Sequence, residues 1–295
     1  MNLRSLKILE FCVLLSFLSS VHTFYDELHF LDYIKIMISE TELSSFLFFD
    51  LETSTEVSNF NDLANSRKKD LWIKKVNTGT KYDKYAGGPI HAYEEEAQLF
   101  PEFGRIVCAS FCYLNSVSQN GKMTWLGKFK SFVDTERSET SEVSQILSPI
   151  SELLHNIDCS GKSMRLCGHN IKRFDIPWLC KKMIMNNVLV PSQLQIWGKK
   201  PWEITHFDTS EGWSMGNWDG HISLDLLSCV LNIPSPKEFM HGSYVGKTFW
   251  HENDSEKIRL YCEEDVKCVA RICHKFSGSN LPIEFVSSTS KKTVM

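Results

Sequence analysis

Two carboxylates stand at i and i+2 where an apolar run ends, in Phe46-Leu47-Phe48-Phe49-Asp50-Leu51-Glu52-Thr53. On a strand that spacing turns Asp50 and Glu52 to one face. Two such acids at the edge of a core repel each other and resist ionisation unless a cation lies between them. A third acid, Asp175, closes Gly168-His169-Asn170-Ile171-Lys172-Arg173-Phe174-Asp175, with Pro177 two residues on. By itself Asp175 reads as a helix N-cap. If a strand ends at Gly168, Asn170 and Asp175 also face the crevice where open α/β sheets bind ligands. Near the C-terminus Tyr261 and Asp265 are four apart and therefore share one helix face. Each fragment is weak alone; what such acids suit is the holding of a hard cation.

The elements that must position these residues follow from the apolar pattern. The run of four apolar residues before Asp50 predicts a strand buried on both faces. Residues 105–114 and 122–129 predict two more strands, joined by a hairpin turn at Ser118-Gln119-Asn120-Gly121. A fourth strand is expected over 163–168, and Asp208 reads as the end of another. Helices are expected over 62–76, with Leu63, Leu71, Trp72 and Val76 inward, and over 92–100, with Glu94, Glu95 and Glu96 solvated. The stripe from Val143 to Ile157 predicts a helix over 140–157, kinked at Pro149. A long amphipathic helix is expected over 255–275, and Asp225 falls in the first turn of another after Ser223. Strands as a meander, then alternating helices and strands, imply an α/β fold: a mixed sheet of five strands with helices on both faces.

Composition narrows the class. Of 295 residues 42% are hydrophobic and 23% charged, as in a globular protein, and the net charge of −4 gives no nucleic-acid footprint by itself. The bases Lys162, Arg165, Lys172, Arg173, Lys181, Lys182, Lys199 and Lys200 crowd one stretch, which a solvated face or a phosphate track would each explain. The ten cysteines include no C-x-x-C, and Cys108, Cys167, Cys180 and Cys229 lie among apolar residues. They read as buried, reduced thiols of a cytoplasmic protein rather than as a zinc site. Residues 1–36 form an extension with three readings: a secretory signal imitated by Arg4, Lys7 and the run from Ile8 to Val21, an extra helix, or a start that belongs at Met37. The apolar run falls short of the ~20 residues of a membrane span. A domain over 37–278 and a disordered tail over 279–295 complete the expected organisation.

Read in order, D-x-E-T on a central strand, N-x-x-x-F-D at a strand-to-helix junction and Y-x-x-x-D on the last long helix form a set. The set resembles the ExoI, ExoII and ExoIII motifs of the DEDD 3′–5′ exonucleases, which share the RNase H-like fold. Tyr261 places the chain in the DEDDy branch. Pro101-Glu102-Phe103-Gly104-Arg105, Lys200-Pro201-Trp202, Phe207-Asp208-Thr209, Ser235-Pro236-Lys237 and Gly242-Ser243 further resemble the stand-alone exonucleases related to the proofreading domain of family B DNA polymerases.

That resemblance implies a two-metal mechanism with Mg²⁺ or Mn²⁺, in which Asp50, Glu52, Asp175 and Asp265 hold the ions. It implies that Asp50 bridges both, that Glu52 and Asp265 serve the nucleophile side and that Asp175 serves the leaving-group side. Tyr261 would orient the attacking water; a phenol near pKa ~10 is a poor base at neutral pH. Thr53, Asn170, Phe174 and Lys237 are the candidates to hold substrate, and the expected partner is the 3′ end of single-stranded nucleic acid, DNA ahead of RNA. With no polymerase-sized segment after Asp265, a free-standing enzyme is expected. An RNA-trimming enzyme, or a binding module of the same fold without chemistry, are the rival readings.

Overall fold

The computed structural model describes residues 37–79, 87–119, 121–217, 220–238 and 240–286. The expected extension over 1–36, the hairpin tip at Asn120 and the last residues of the tail, 287–295, lie outside the described residues.

In chain order the principal elements are α1 (Glu40–Leu43), β1 (Phe46–Thr55), α2 (Ser66–Thr78), α3 (Gly88–Glu96), β2 (Gly104–Gln119), β3 (Lys122–Val133), α4 (Ser148–Cys159), β4 (Arg165–Gly168), α5 (Asp175–Met185), β5 (Phe207–Asp208), α6 (Thr209–Trp213), α7 (Leu224–Val230), α8 (Ser255–Phe276) and β6 (Ile283–Val286). The six strands form one mixed sheet in the order β5-β4-β1-β2-β3-β6. β2 runs antiparallel to both neighbours, whereas β4 is parallel to β1 and to β5. This mixed sheet with helices packed on it is consistent with the RNase H-like fold that the motifs imply.

β1 occupies the centre, and its alternation organises the core. Leu47, Phe49 and Leu51 face one side, against Ile150 and Leu154 of α4 and Ile176, Trp178, Leu179 and Met183 of α5. Phe46 and Phe48 face the other, against Val266, Val269, Ile272 and Cys273 of α8. Phe46, Phe48 and Phe49 are essentially inaccessible, each contributing about 1.5–3 kcal/mol of burial. By the same alternation Asp50 and Glu52 continue the α8 face.

Several expectations need correction. The sheet has six strands, not five, because residues 283–286 lie within the expected tail and pair in parallel with β3. Ile283 and Phe285 alternate inward and join the α8-side core, which covers an edge that β3 would otherwise expose. Gly127 makes this possible, since a Cβ there would run into the Phe285 ring. The helix expected over 62–76 begins only at Ser66, capped by the Asn65 side chain on the Lys68 N–H. Its Trp72 and Val76 point inward as expected, but Leu71 is half exposed. The acidic helix sits earlier, over Gly88–Glu96, and it buries Glu96 while Glu94 and Glu95 stay solvated. β2 and β3 run several residues further than expected, pairing from Cys108↔Val133 to Gln119↔Lys122. The helix expected over 140–157 is helical without a break from Ser141 to Cys159, with a π-turn over Val143–Leu147 directly before Pro149. Among the cysteines, Cys108, Cys167 and Cys180 are buried free thiols, whereas Cys229 is exposed.

Two buried ion pairs tie the rim of the sheet together. Arg105 donates to Asp134 and to Ser141 Oγ at 3.0 Å, with both members of the ion pair nearly inaccessible. Lys182 of α5 reaches Glu142 at 3.0 Å and the Gly104 carbonyl at 3.0 Å.

Candidate active site

The acids of β1 meet α8 because of how that helix presents its stripe. Ile258, Tyr261, Cys262, Asp265, Val266 and Val269 recur at helical spacing and are all buried. Tyr261 and Asp265 therefore lie on the face that packs over Asp50 and Glu52. Opposite Glu52 the β1–β2 register slips, with Glu52 paired to Cys108 and Thr53 to Ile106. Such a bulge bends a strand locally and re-aims side chains at its end.

Asp175 arrives from the other direction. β4 pairs with β1 only from Phe46 to Phe48, so beyond that point β1 has no strand partner on this side. The Leu51 N–H instead donates to Asp175 Oδ1 at 3.1 Å. Asp175 is the first residue of α5 rather than its N-cap, which is Phe174. The tight turn from β4 into α5 needs Gly168, where a Cβ would strike Ile171 and come within 2.8 Å of the Phe49 carbonyl. It also needs Asn170 at a left-handed φ of 62°. Asp208 fixes this turn by accepting the Asn170 N–H at 2.8 Å and the Lys172 N–H at 3.2 Å while capping α6 through Ser210. It is a structural acid, as its place at a strand end implies.

Electrostatics bind the four acids into one site. Burial first, then the charges of Asp265 and Asp175, raises the Asp50 carboxyl well above the usual range. Glu52 is raised likewise, by burial and then by Asp50 and Asp265. Burial pushes Asp175 up to about 7 against the Leu51 N–H that stabilises its charge. Burial also lifts Asp265 to about 7, opposed by side-chain hydrogen bonds from Tyr261 and Glu52 and by the charge of Lys237. Glu52, Asp175 and Asp265 are each less than a tenth exposed, and Asp50 is half-buried. Four acids that hold one another's protons on are a set that a divalent cation would relieve.

The remaining candidates are placed as follows. Burial and the carboxylates of Glu52, Asp265 and Asp50 push Tyr261 well above an ordinary phenol, so its hydroxyl stays protonated at neutral pH. Thr53 is committed through Oγ1 to the Gln98 carbonyl at 2.9 Å, which leaves its oxygen free to accept only. Phe174 is half-buried, packed beside Trp178 at 6.4 Å between ring centres, and Trp178 itself is core. Lys237 lies 3.7 Å from Asp225 Oδ2, in the loop that Ser235 ties to Asp225, and its charge reaches Asp265. Asp225 thus belongs to the first turn of α7 and anchors Lys237. His169 bridges Thr209 Oγ1 and the Ile222 carbonyl at 2.9 Å each, a structural role.

One residue at the centre escaped the motif reading. Cys262 Sγ lies 3.4 Å from the Asp50 carbonyl and 3.7 Å from Asp50 Oδ2, and potential ligand atoms of Asp50, Glu52 and Cys262 all fall within 4.8 Å of one another. The signal was its place beside Tyr261 on the buried stripe, masked by the ordinary presence of cysteine in a core.

No helix among the described residues is long and apolar enough to cross a membrane. No curated protein matches the chain. Residues 102–269, more than half its length and including Asp175, Tyr261 and Asp265, match one family model. The other two acids, Asp50 and Glu52, lie before the matched region and reach it through β1–β2 pairing. The chain belongs to the family of predicted 3′–5′ exonucleases related to the exonuclease domain of PolB.

Proposed function

We propose that the chain hydrolyses phosphodiester bonds one nucleotide at a time from the 3′ end of single-stranded nucleic acid, DNA in the first place, with two divalent cations, Mg²⁺ or Mn²⁺. The observation that carries this reading is the mutual coupling of Asp50, Glu52, Asp175 and Asp265, three of them deeply buried, at the meeting of β1, α5 and α8. Hard carboxylate oxygens fit those ions. Bound there, such ions supply an activated water and charge stabilisation for the leaving 3′ oxygen.

The chain's own residues do the rest. Tyr261, protonated at neutral pH and beside Asp265, orients the attacking water by hydrogen bonding rather than by taking its proton. The Leu51 N–H holds the Asp175 carboxylate in place. Lys237 offers a positive charge near Asp265, suited to a backbone phosphate. Thr53 follows Glu52 and Phe174 precedes Asp175 in the chain, and together with Asn170 in the turn before Asp175 they hold the terminal nucleotide. Nine free thiols among the described residues support a reducing, cytoplasmic setting.

The test is Mg²⁺- or Mn²⁺-dependent release of mononucleotides from end-labelled single strands of DNA and RNA. Asp50→Ala should abolish release. Full activity in that variant would overturn the site, and release from RNA alone would overturn the substrate.

A further inference from the structure

The crowded bases between 162 and 200 separate into two groups. Arg165, Lys172, Lys181 and Lys182 pair with Glu42, Glu211, Glu102 and Glu142. Among the described residues no carboxylate lies within ion-pair distance of Lys162, Arg173, Lys199 or Lys200, and the Arg173 guanidinium contacts His221 Nε2 instead. The acids nearest to the last three in the fold are already engaged. Asp208 accepts backbone N–H groups, Glu211 holds Lys172 at 2.5 Å, and Glu203 accepts the Lys200 N–H at 2.8 Å.

Lys199 and Lys200 stand between two tryptophans that the fold leaves outside. Trp197 is 58% exposed and Trp202 is 78% exposed. Trp202 is the most exposed of the large hydrophobic side chains among the described residues, and the Lys200 ammonium lies 5.3 Å from its ring. Between this loop and the turn from β4 to α5 lies a cavity of about 250 Å³, lined among others by Asn170, Arg173, Lys199, Pro201, Ile204 and Asp208. Asn170 and Asp208 line the cavity, and Asp208 accepts the N–H groups of the turn that leads into Asp175, so the cavity lies at the junction that carries one of the four acids.

We infer that this loop and cavity form a track for the single strand behind its reacting end, with bases stacked on Trp202 and Trp197 and phosphates held by Arg173 and Lys199. The chemistry is that of single-strand recognition without sequence readout: aromatic faces for any base, and cations along the backbone. The inference rests on the nuclease reading for its direction along the strand, not for the binding itself.

The experiment measures binding and chemistry separately. Fluorescence anisotropy of a labelled single strand of about a dozen nucleotides, in EDTA, reads the track. Hydrolysis of the p-nitrophenyl ester of thymidine 5′-monophosphate with Mn²⁺ reads the acidic site without it. Trp202→Ala and Trp197→Ala should each weaken strand binding on the order of tenfold while ester hydrolysis stays unchanged, and Trp202→Phe should keep most of the binding. Lys199→Ala should lower the slope of log affinity against log salt by about 0.7. Wild-type binding in both alanine variants would overturn the inference, as would ester hydrolysis that falls in step with strand binding. A wild-type protein that binds the strand, with the tryptophan dependence, but hydrolyses no substrate would support the track and refute the nuclease reading.

Discussion

Asp265→Asn should stabilise the metal-free protein at pH 8, although it removes a buried and hydrogen-bonded side chain. Between pH about 4 and 7 a carboxyl with a raised pKa binds more protons folded than unfolded, so stability falls as pH climbs through that window. Asp265 stands at about 7 against an ordinary 3.8. At about 1.4 kcal/mol per pH unit that interval sets a ceiling of about 4 kcal/mol at pH 8. A neutral amide is a weaker acceptor for Tyr261, which takes back about 1 kcal/mol. The net gain is then about 1–3 kcal/mol, or several degrees in melting temperature at about 2–4 °C per kcal/mol for a domain of this size. At pH 4.5, where the folded carboxyl holds its proton and the unfolded one is less than one pH unit past its own pKa of 3.8, the ceiling drops to about 1 kcal/mol. The assay is urea denaturation of both proteins in EDTA at the two pH values, repeated with Mn²⁺. Saturating Mn²⁺ should reverse the order at pH 8, since only the wild type gains the stabilisation of a bound ion, about 2.7 kcal/mol at a hundredfold excess over Kd. Equal destabilisation by Asp265→Asn at both pH values, or equal gains from Mn²⁺ in both proteins, would refute the reasoning.

Other outcomes follow from the same geometry. Mn²⁺ affinity, followed by calorimetry in two buffers, should rise and release protons as pH goes from 6 to 8, because Asp175 and Asp265 at about 7 must deprotonate to bind. Tyr261→Phe should lower kcat about ten- to a hundredfold, the equivalent of one hydrogen bond to a charged partner, and leave the pH–rate profile in place because the phenol is not the base. Asp134→Ala strands the buried Arg105 and should cost about 3–5 kcal/mol in denaturation, far more than loss of the exposed Lys181–Glu102 pair. Gly168→Ala should destabilise by about 1–3 kcal/mol and lower nuclease activity with it, since the side chain meets Ile171 in the turn that places Asp175.

Much of this was legible in the chain because the site breaks the rules of its own elements. Asp50 and Glu52 continue a period-two apolar face, and Asp265 interrupts a helical apolar stripe; an acid at a core position needs a partner that the local sequence does not supply. Asp175 was harder, since the same residue serves equally as a cap, and only the shortness of β4 shows that it answers the Leu51 N–H. Strand β6 stayed hidden because four residues of alternation near an expected tail carry little signal without the slot at Gly127, which is far away in the chain and opposite Phe285 only in the folded sheet. The division of the basic stretch into paired and unpaired cations is likewise a property of the assembled molecule: Glu42, Glu102, Glu142 and Glu211 are distant in sequence from the bases they engage or lie on separate elements.

The most direct measurement is the anomalous scattering of crystals soaked in Mn²⁺ with a nucleoside 5′-monophosphate. The account predicts two peaks within coordination distance of oxygens from Asp50, Glu52, Asp175 and Asp265 together, with the nucleotide phosphate against them. Manganese held elsewhere, or by carboxylates of which Asp50 and Asp265 are not both members, would contradict it.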